Sequence, residues 1–134
     1  MHQRVLVTVD DPMLRGLYKK IFENTGGFLS IDFAATKSEA ADRLKKTSYD
    51  FALLDINLGE TEHDGFDLLQ LINSNNKDTK VMMMSSMLSD QVEPLCRLLG
   101  ARGFTPKNQD LIQNLRKWLT VVVAENCFKH LYHA

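Results

Sequence analysis

The chain has 134 residues, of which 44% are hydrophobic and 25% charged, and its formal net charge is −1. That length buries the core of one ordinary domain without staples, and the composition excludes disordered, collagen-like and coiled-coil chains. A charge so close to zero supplies no bulk field toward nucleic acid or an anionic membrane, so any partner must be recognised locally.

Arg4 to Val9 is a short β-branched run that predicts a strand, and Leu14, Leu17, Tyr18 and Ile21 follow at helical spacing within Met13 to Phe22. Thr25-Gly26-Gly27 is expected to stop that helix. Leu29, Ile31 and Phe33 then alternate with Ser30 and Asp32 as in a half-buried strand. Thr36 and Glu39 form a T-x-x-E capping box ahead of a second helix through about Lys46. Phe51 to Leu54 is an unbroken apolar run ending at Asp55, the pattern of a strand covered on both faces. Asn57 to Gly65 is turn-rich; Phe66, Leu69 and Ile72 predict a third helix that ends in Asn73-Ser74-Asn75-Asn76. Val81 to Met84 form a fourth strand, closed by Ser85-Ser86. Pro94 fits only a first helical turn, so the next helix starts late, with Leu95, Leu98 and Leu99 expected to face inward and Gly100 to close it. Gly103 and Phe104 give a very short fifth strand. The last helix carries Leu111, Ile112, Leu115, Trp118, Leu119 and Val122.

Strand alternating with helix, joined by short connections, predicts a single-domain α/β fold: a doubly wound parallel sheet with helices on both faces. Cys96 and Cys127 have no metal spacing and are too few for a disulfide scaffold, so both are expected as reduced core thiols. The opening MHQRVLV enters a strand pattern without the regions of a signal peptide, and no apolar run reaches spanning length. The expectation is a cytoplasmic protein with no membrane association.

Doubly wound sheets place functional residues at the carboxyl ends of their strands. There the sequence puts Asp10-Asp11 after the first strand, Asp55 after the third, Ser85 after the fourth and Lys107 just past the fifth. Converging carboxylates raise one another's pKa unless a cation sits among them. An all-oxygen site with open positions suits Mg²⁺, held by Asp10, Asp11, Asp55 and the backbone carbonyl of Asn57. Such a set is equipped for phosphoryl transfer: Asp55 as nucleophile, with Mg²⁺, Lys107 and the Ser85 hydroxyl serving the phosphoryl oxygens. Read alone, Asp10-Asp11-Pro12 is more often a helix N-terminus, Asp55 a turn residue, Ser85 a cap and Lys107 a solvated side chain. His63 is an exposed loop residue, and Met82 to Met84 are core filler.

The motifs VDDP, LLDINL, VMMMSS and GARGFTPK, in this order and placement, resemble a receiver domain of bacterial two-component response regulators. The resemblance covers about residues 4 to 123, which assigns 1–123 to the receiver and leaves 124–134 as a C-terminal helical extension or tail. It implies a flavodoxin-like (βα)5 sheet in the order 2-1-3-4-5. It also implies Asp55 as phosphoacceptor for a sensor histidine kinase or histidine phosphotransfer protein, and Ser85 and Phe104 as switch residues. Such a domain phosphorylates and dephosphorylates itself and is not a turnover enzyme. The fourth helix, fifth strand and fifth helix would form the output surface and a homodimer face. Cys127, Phe128, Leu131 and Tyr132 continue at helical spacing, as a plain extension of the last helix or a docking stripe. No zinc spacing or basic recognition helix is present, so no direct nucleic-acid binding is expected of this chain. In three places the chain departs from the family pattern. Val9 occupies the first acid position, the loop after Asp55 is longer and lacks the usual proline, and Asn108 stands where proline commonly follows the lysine. The first two leave open a degenerate receiver acting as a phosphorylation-independent protein-binding module.

Overall fold

The computed structural model describes residues 3–25, 28–75, 78–87 and 89–133, with only the backbone of residues 28, 29 and 129–133. Strand and helix alternate as β1 (Gln3–Thr8), α1 (Pro12–Thr25), β2 (Phe28–Ala34), α2 (Lys37–Lys46), β3 (Phe51–Asp55), α3 (Asp64–Asn75), β4 (Lys80–Ser85), α4 (Val92–Leu98), β5 (Gly103–Pro106) and α5 (Leu111–His133). The sheet runs β2-β1-β3-β4-β5 with every neighbour parallel, the expected order. The stop expected at Gly26-Gly27, the residue Asn76 and the side chains of Leu29, Leu131 and Tyr132 lie outside what is described.

Strand periodicity divides the core in two. Val5, Val7, Phe51, Leu53, Met82 and Met84 point to one face, where they meet Tyr18, Ile21 and Phe22 of α1 and Leu115 and Leu119 of α5. Leu6, Ala52, Leu54, Val81 and Met83 point to the other, against Leu44 of α2, Leu68, Leu69 and Ile72 of α3 and Cys96 of α4. All of β3 is buried, as its lack of polar alternation requires. The three methionines do fill the core, on both faces in turn.

Helix ends follow local chemistry. Thr36 Oγ1 accepts the Glu39 N–H at 3.1 Å, while the Glu39 carboxylate reaches back to the Ala35 N–H at 3.0 Å, one residue beyond the usual partner. Gly100 closes α4 at φ +103°, a conformation that side-chain-bearing residues rarely adopt. Pro94 sits in the first turn of α4, where a missing N–H costs nothing.

Two expectations fail. Leu95, Leu98 and Leu99 face outward, Leu98 at 82% exposure, and Val92 and Cys96 make the buried contact instead. In so short a helix two apolar arcs compete, and the i, i+4 pair with the smaller side chains lies against the sheet. Cys127 is exposed, so only Cys96 is a core thiol; both are free. The last helix runs unbroken past residue 123 to His133.

Candidate functional site

The carboxyl ends of β1, β3, β4 and β5 bring most of the expected residues to one edge. Asp55 closes β3, pairs in register with Met84, and is only 5% exposed. Its Oδ2 accepts the Lys107 ammonium at 2.5 Å, and its Oδ1 accepts the Asn57 N–H at 3.1 Å. Ser85, one register step further along β4, is buried; its Oγ accepts the Met87 N–H at 3.0 Å and its carbonyl accepts the Lys107 N–H at 2.8 Å. That last bond fixes the start of the lysine side chain beside the serine. Phe104 of β5 is half-buried, packed on the core, and borders an open groove of about 700 Å³ together with Met87, Pro94 and Arg97.

The electrostatics of Asp55 are opposed. Burial pushes its carboxyl above the ordinary carboxylate range; the Lys107 ammonium and the Asn57 N–H pull it down, and Asp10 pushes it up again. Beneath it, the buried Tyr18 phenol is pushed up to about 12, by burial first and by the Asp55 charge second. Its hydroxyl faces the Met84 sulfur at 3.5 Å.

The two adjacent aspartates part company. Asp11 caps α1: its Oδ1 accepts the Met13 N–H at 2.9 Å and its carbonyl the Leu14 N–H at 3.1 Å, with Pro12 at the first helical position. Asp10 is exposed and near enough to Asp55 to act on its charge. Val9 is buried in the core, where the family pattern has an acid. Asn57 is exposed, its side-chain oxygen accepting the Gly59 N–H at 2.8 Å. Among the described residues no three acid, histidine or cysteine side chains gather into a ready-made metal cage. The chemistry of the donor set does fit a small hard dication, which takes one or two carboxylates and keeps its waters: Asp10, Asp55 and the Asn57 carbonyl would offer it oxygen alone. Asp55 is a buried carboxylate with more desolvation than one lysine offsets.

Three contributors escape a reading of the sequence. Thr8, fully buried, accepts the Asp55 N–H on its hydroxyl at 2.8 Å; a polar residue within an apolar strand was the available signal. Asp64, also fully buried, knits the loop after Asp55. Its Oδ2 accepts the N–H groups of Leu58 at 2.9 Å and Glu60 at 3.1 Å, and its Oδ1 takes the Thr61 N–H at 3.0 Å and hydroxyl at 2.8 Å. Burial pushes this carboxyl up, but those donors, the Thr61 hydroxyl foremost, together hold it below the usual range. Gly65 lets α3 approach the end of β3: a Cβ there would stand 2.5 Å from the Asp55 carbonyl oxygen. His63 is exposed, as expected, and its Nδ1 lies 3.1 Å from Asp67, which also pairs with Lys37.

Comparison with known proteins gives the same picture. Residues 5–119 match the family model described as the response regulator receiver domain. A Pseudomonas aeruginosa protein named as a transcriptional regulator is 33% identical over 112 residues, which are 84% of this chain and 53% of that protein. The chain thus spans about half the length of that curated relative. Among solved structures, the signal receiver domain of a LuxO repressor protein from Vibrio parahaemolyticus superposes with TM-score 0.84 at 22% identity, covering 100% of this chain and 99% of its own. The Francisella response regulator 1452 receiver domain gives 0.77 at 22% identity, over 92% and 98%. No helix among the described residues is long and apolar enough to cross a membrane. With most of its length matched and its strands in the order that the motifs implied, the chain belongs to the response regulator receiver domain family.

Proposed function

We propose that Asp55 accepts a phosphoryl group from the phosphohistidine of a sensor histidine kinase or histidine phosphotransfer protein. The observation that carries this reading is the 2.5 Å contact between Lys107 Nζ and Asp55 Oδ2, made at a buried strand end beside Ser85. A carboxylate oxygen of Asp55 attacks phosphorus, the P–N bond breaks, and the imidazole leaves with the electron pair. The carboxylate is already ionised, so no base is required. Lys107 then shifts its ammonium from the carboxylate to a phosphoryl oxygen, and Ser85, whose Oγ accepts from Met87, keeps its own hydrogen to donate to another.

Mg²⁺, held by Asp10, Asp55 and the Asn57 carbonyl, supplies further charge neutralisation at the phosphoryl oxygens when bound. Asp11, with Oδ1 committed to capping α1, has Oδ2 left for a water-mediated contact. The acyl phosphate hydrolyses in place, so the chain acts as an acceptor and not as a turnover enzyme. New contacts at Ser85 bias Phe104 and the surface of α4, β5 and α5, which is offered to a downstream protein or a second copy. Residues 124–134 are assigned to a C-terminal extension of the receiver, of which 124–133 continue α5. A cytoplasmic setting follows from the phosphohistidine donor, and no nucleic-acid contact is proposed for the chain itself.

Intact-mass measurement after incubation with acetyl phosphate tests this directly. Wild type with Mg²⁺ gains one phosphoryl mass; Asp55→Asn, or wild type with chelator, gains none. The buried Val9 at the first acid position favours a second reading, a receiver that binds partners without phosphorylation. An unlabelled wild type would leave that reading standing.

A further inference from the structure

The pairing of β1 with β3 ends just below the site. β1 pairs with β3 only as far as Val7 opposite Leu53, while its pairing with β2 continues through Thr8 opposite Ala34 and the Val9 N–H donates to the Ala34 carbonyl at 2.9 Å. Asp55 lies two residues beyond that last β1–β3 rung. Its N–H finds the Thr8 hydroxyl at 2.8 Å instead of a backbone carbonyl, and the same hydroxyl donates to the Leu53 carbonyl at 3.3 Å. Thr8 is fully buried, so water does not compete for either bond.

From this geometry we infer that Thr8 is a positioning residue: its hydroxyl stands in for the missing ladder bond, ties the end of β3 to β1, and sets where Asp55 presents its carboxylate to Lys107 and Asp10. The tether itself is a statement about hydrogen bonds; its consequence for phosphorylation rests on Asp55 being the phosphoacceptor. Valine is nearly isosteric with threonine but leaves the buried Asp55 N–H without an acceptor, an expensive vacancy. Serine loses a methyl group and keeps the oxygen. Released from Thr8, the strand end is free to shift, and displacements of about 1 Å at a reacting group cost up to about a hundredfold in rate.

The test compares Thr8→Val, Thr8→Ala and Thr8→Ser in the full chain, with two readouts. The first is the rate of acetyl-phosphate labelling by intact mass. The second is hydrogen exchange of the Asp55 amide by NMR, which does not depend on phosphorylation. Thr8→Ser should label within about threefold of wild type, while Thr8→Val and Thr8→Ala should slow by about ten- to a hundredfold. Both slow variants should lose Asp55 amide protection relative to the Leu53 and Leu54 amides. A Thr8→Val protein with wild-type labelling and a protected Asp55 amide overturns the inference, and so does a Thr8→Ser protein as slow as Thr8→Ala. Should the apolar variants fail to fold, the wild-type amide decides alone: exchange at the rate of an open loop refutes the tether. Wild type that takes no label refutes the phosphoacceptor reading, while the exchange data still decide the tether.

Discussion

One substitution made at two helical glycines should give opposite signs, and the structure says which is which. Gly16 is exposed in the interior of α1, and a Cβ built there meets nothing within 4 Å. Alanine at that site gains helix propensity and restricts the unfolded chain, so Gly16→Ala should stabilise by about 0.5–1 kcal/mol. Gly65, in the first turn of α3, is buried against the end of β3. There a Cβ would lie 2.5 Å from the Asp55 carbonyl oxygen, 2.7 Å from Ile56 Cα and 2.9 Å from the Asp55 carbonyl carbon. Comfortable contacts between such atoms lie near 3.5–4.0 Å, so the overlap is about 1 Å, and it is with backbone, which has no rotamer to escape into. Relief requires α3 to back away, stretching the 2.8 Å bond from the Gly65 N–H to the Ile56 carbonyl. Overpacking costs about 1–3 kcal/mol, an overlap this deep with backbone lies in the upper part of that range at about 2–3, and the propensity gain offsets about 1 of it. Gly65→Ala should therefore lose about 1–2 kcal/mol, or roughly 3–10 °C in a chain of this size. Urea titration of wild type and the two variants, with equal m-values as the condition for comparing midpoints, measures both effects. A Gly65→Ala protein as stable as wild type would show that α3 does not press on the β3 end as described.

Two carboxylates should respond to pH in different senses. Burial raises the folded-state pKa of Asp55, so the folded chain binds that proton more tightly than the unfolded chain; the charged form costs stability above the folded pKa, and the cost disappears as pH falls through it. Asp55→Asn should accordingly stabilise the fold at pH 7, with a gain over wild type that shrinks in acid, as denaturant melts at pH 7 and pH 4 will show. Asp64 is the reverse case: its folded pKa is lowered, so its contribution is present above the unfolded value and is lost as pH falls through the folded one. Asp64→Ala, which strips the acceptor from three N–H groups and a hydroxyl, should cost about 2–3 kcal/mol at pH 7, and the difference from wild type should narrow toward pH 3.

The fold is legible in the sequence wherever one period dominates. β3 announces itself because FALLD has no polar alternation, and only a strand covered on both sides tolerates that. α5 is legible because Leu111, Leu115, Leu119 and Val122 form one stripe, all of them buried. α4 is not, because VEPLCRL followed by Leu99 offers Val92 with Cys96 on one arc and Leu95, Leu98 and Leu99 on the other. Composition favours the three leucines, yet α4 packs against β5 with its smaller pair inward. The closeness of that approach is a property of the sheet edge and appears nowhere in the helix's own residues.

The site divides along a similar line. Side chains whose role depends on strand ends, Asp55, Ser85 and Lys107, are found by counting elements, because a parallel sheet delivers every strand terminus to the same edge. Groups that act across a gap in the chain are hidden: Asp64 matters only because the Leu58, Glu60 and Thr61 N–H groups return to it, and Thr8 only because β1 leaves β3 one residue earlier. Asp11 shows the opposite trap, a residue whose local signal as a helix cap is realised in full while its neighbour Asp10 acts on Asp55. What unites the hidden groups is that each spends its hydrogen bonds holding an unfavourable arrangement still. A chain selected for stability alone would not bury a carboxylate at position 55 with a second acid nearby and one lysine to offset it. The Thr8 tether, the Asp64-bound loop and the Gly65 contact keep that carboxylate in place, and its unmet demand for positive charge is what the proposed phosphoacceptor role, with a dication bound, would draw on.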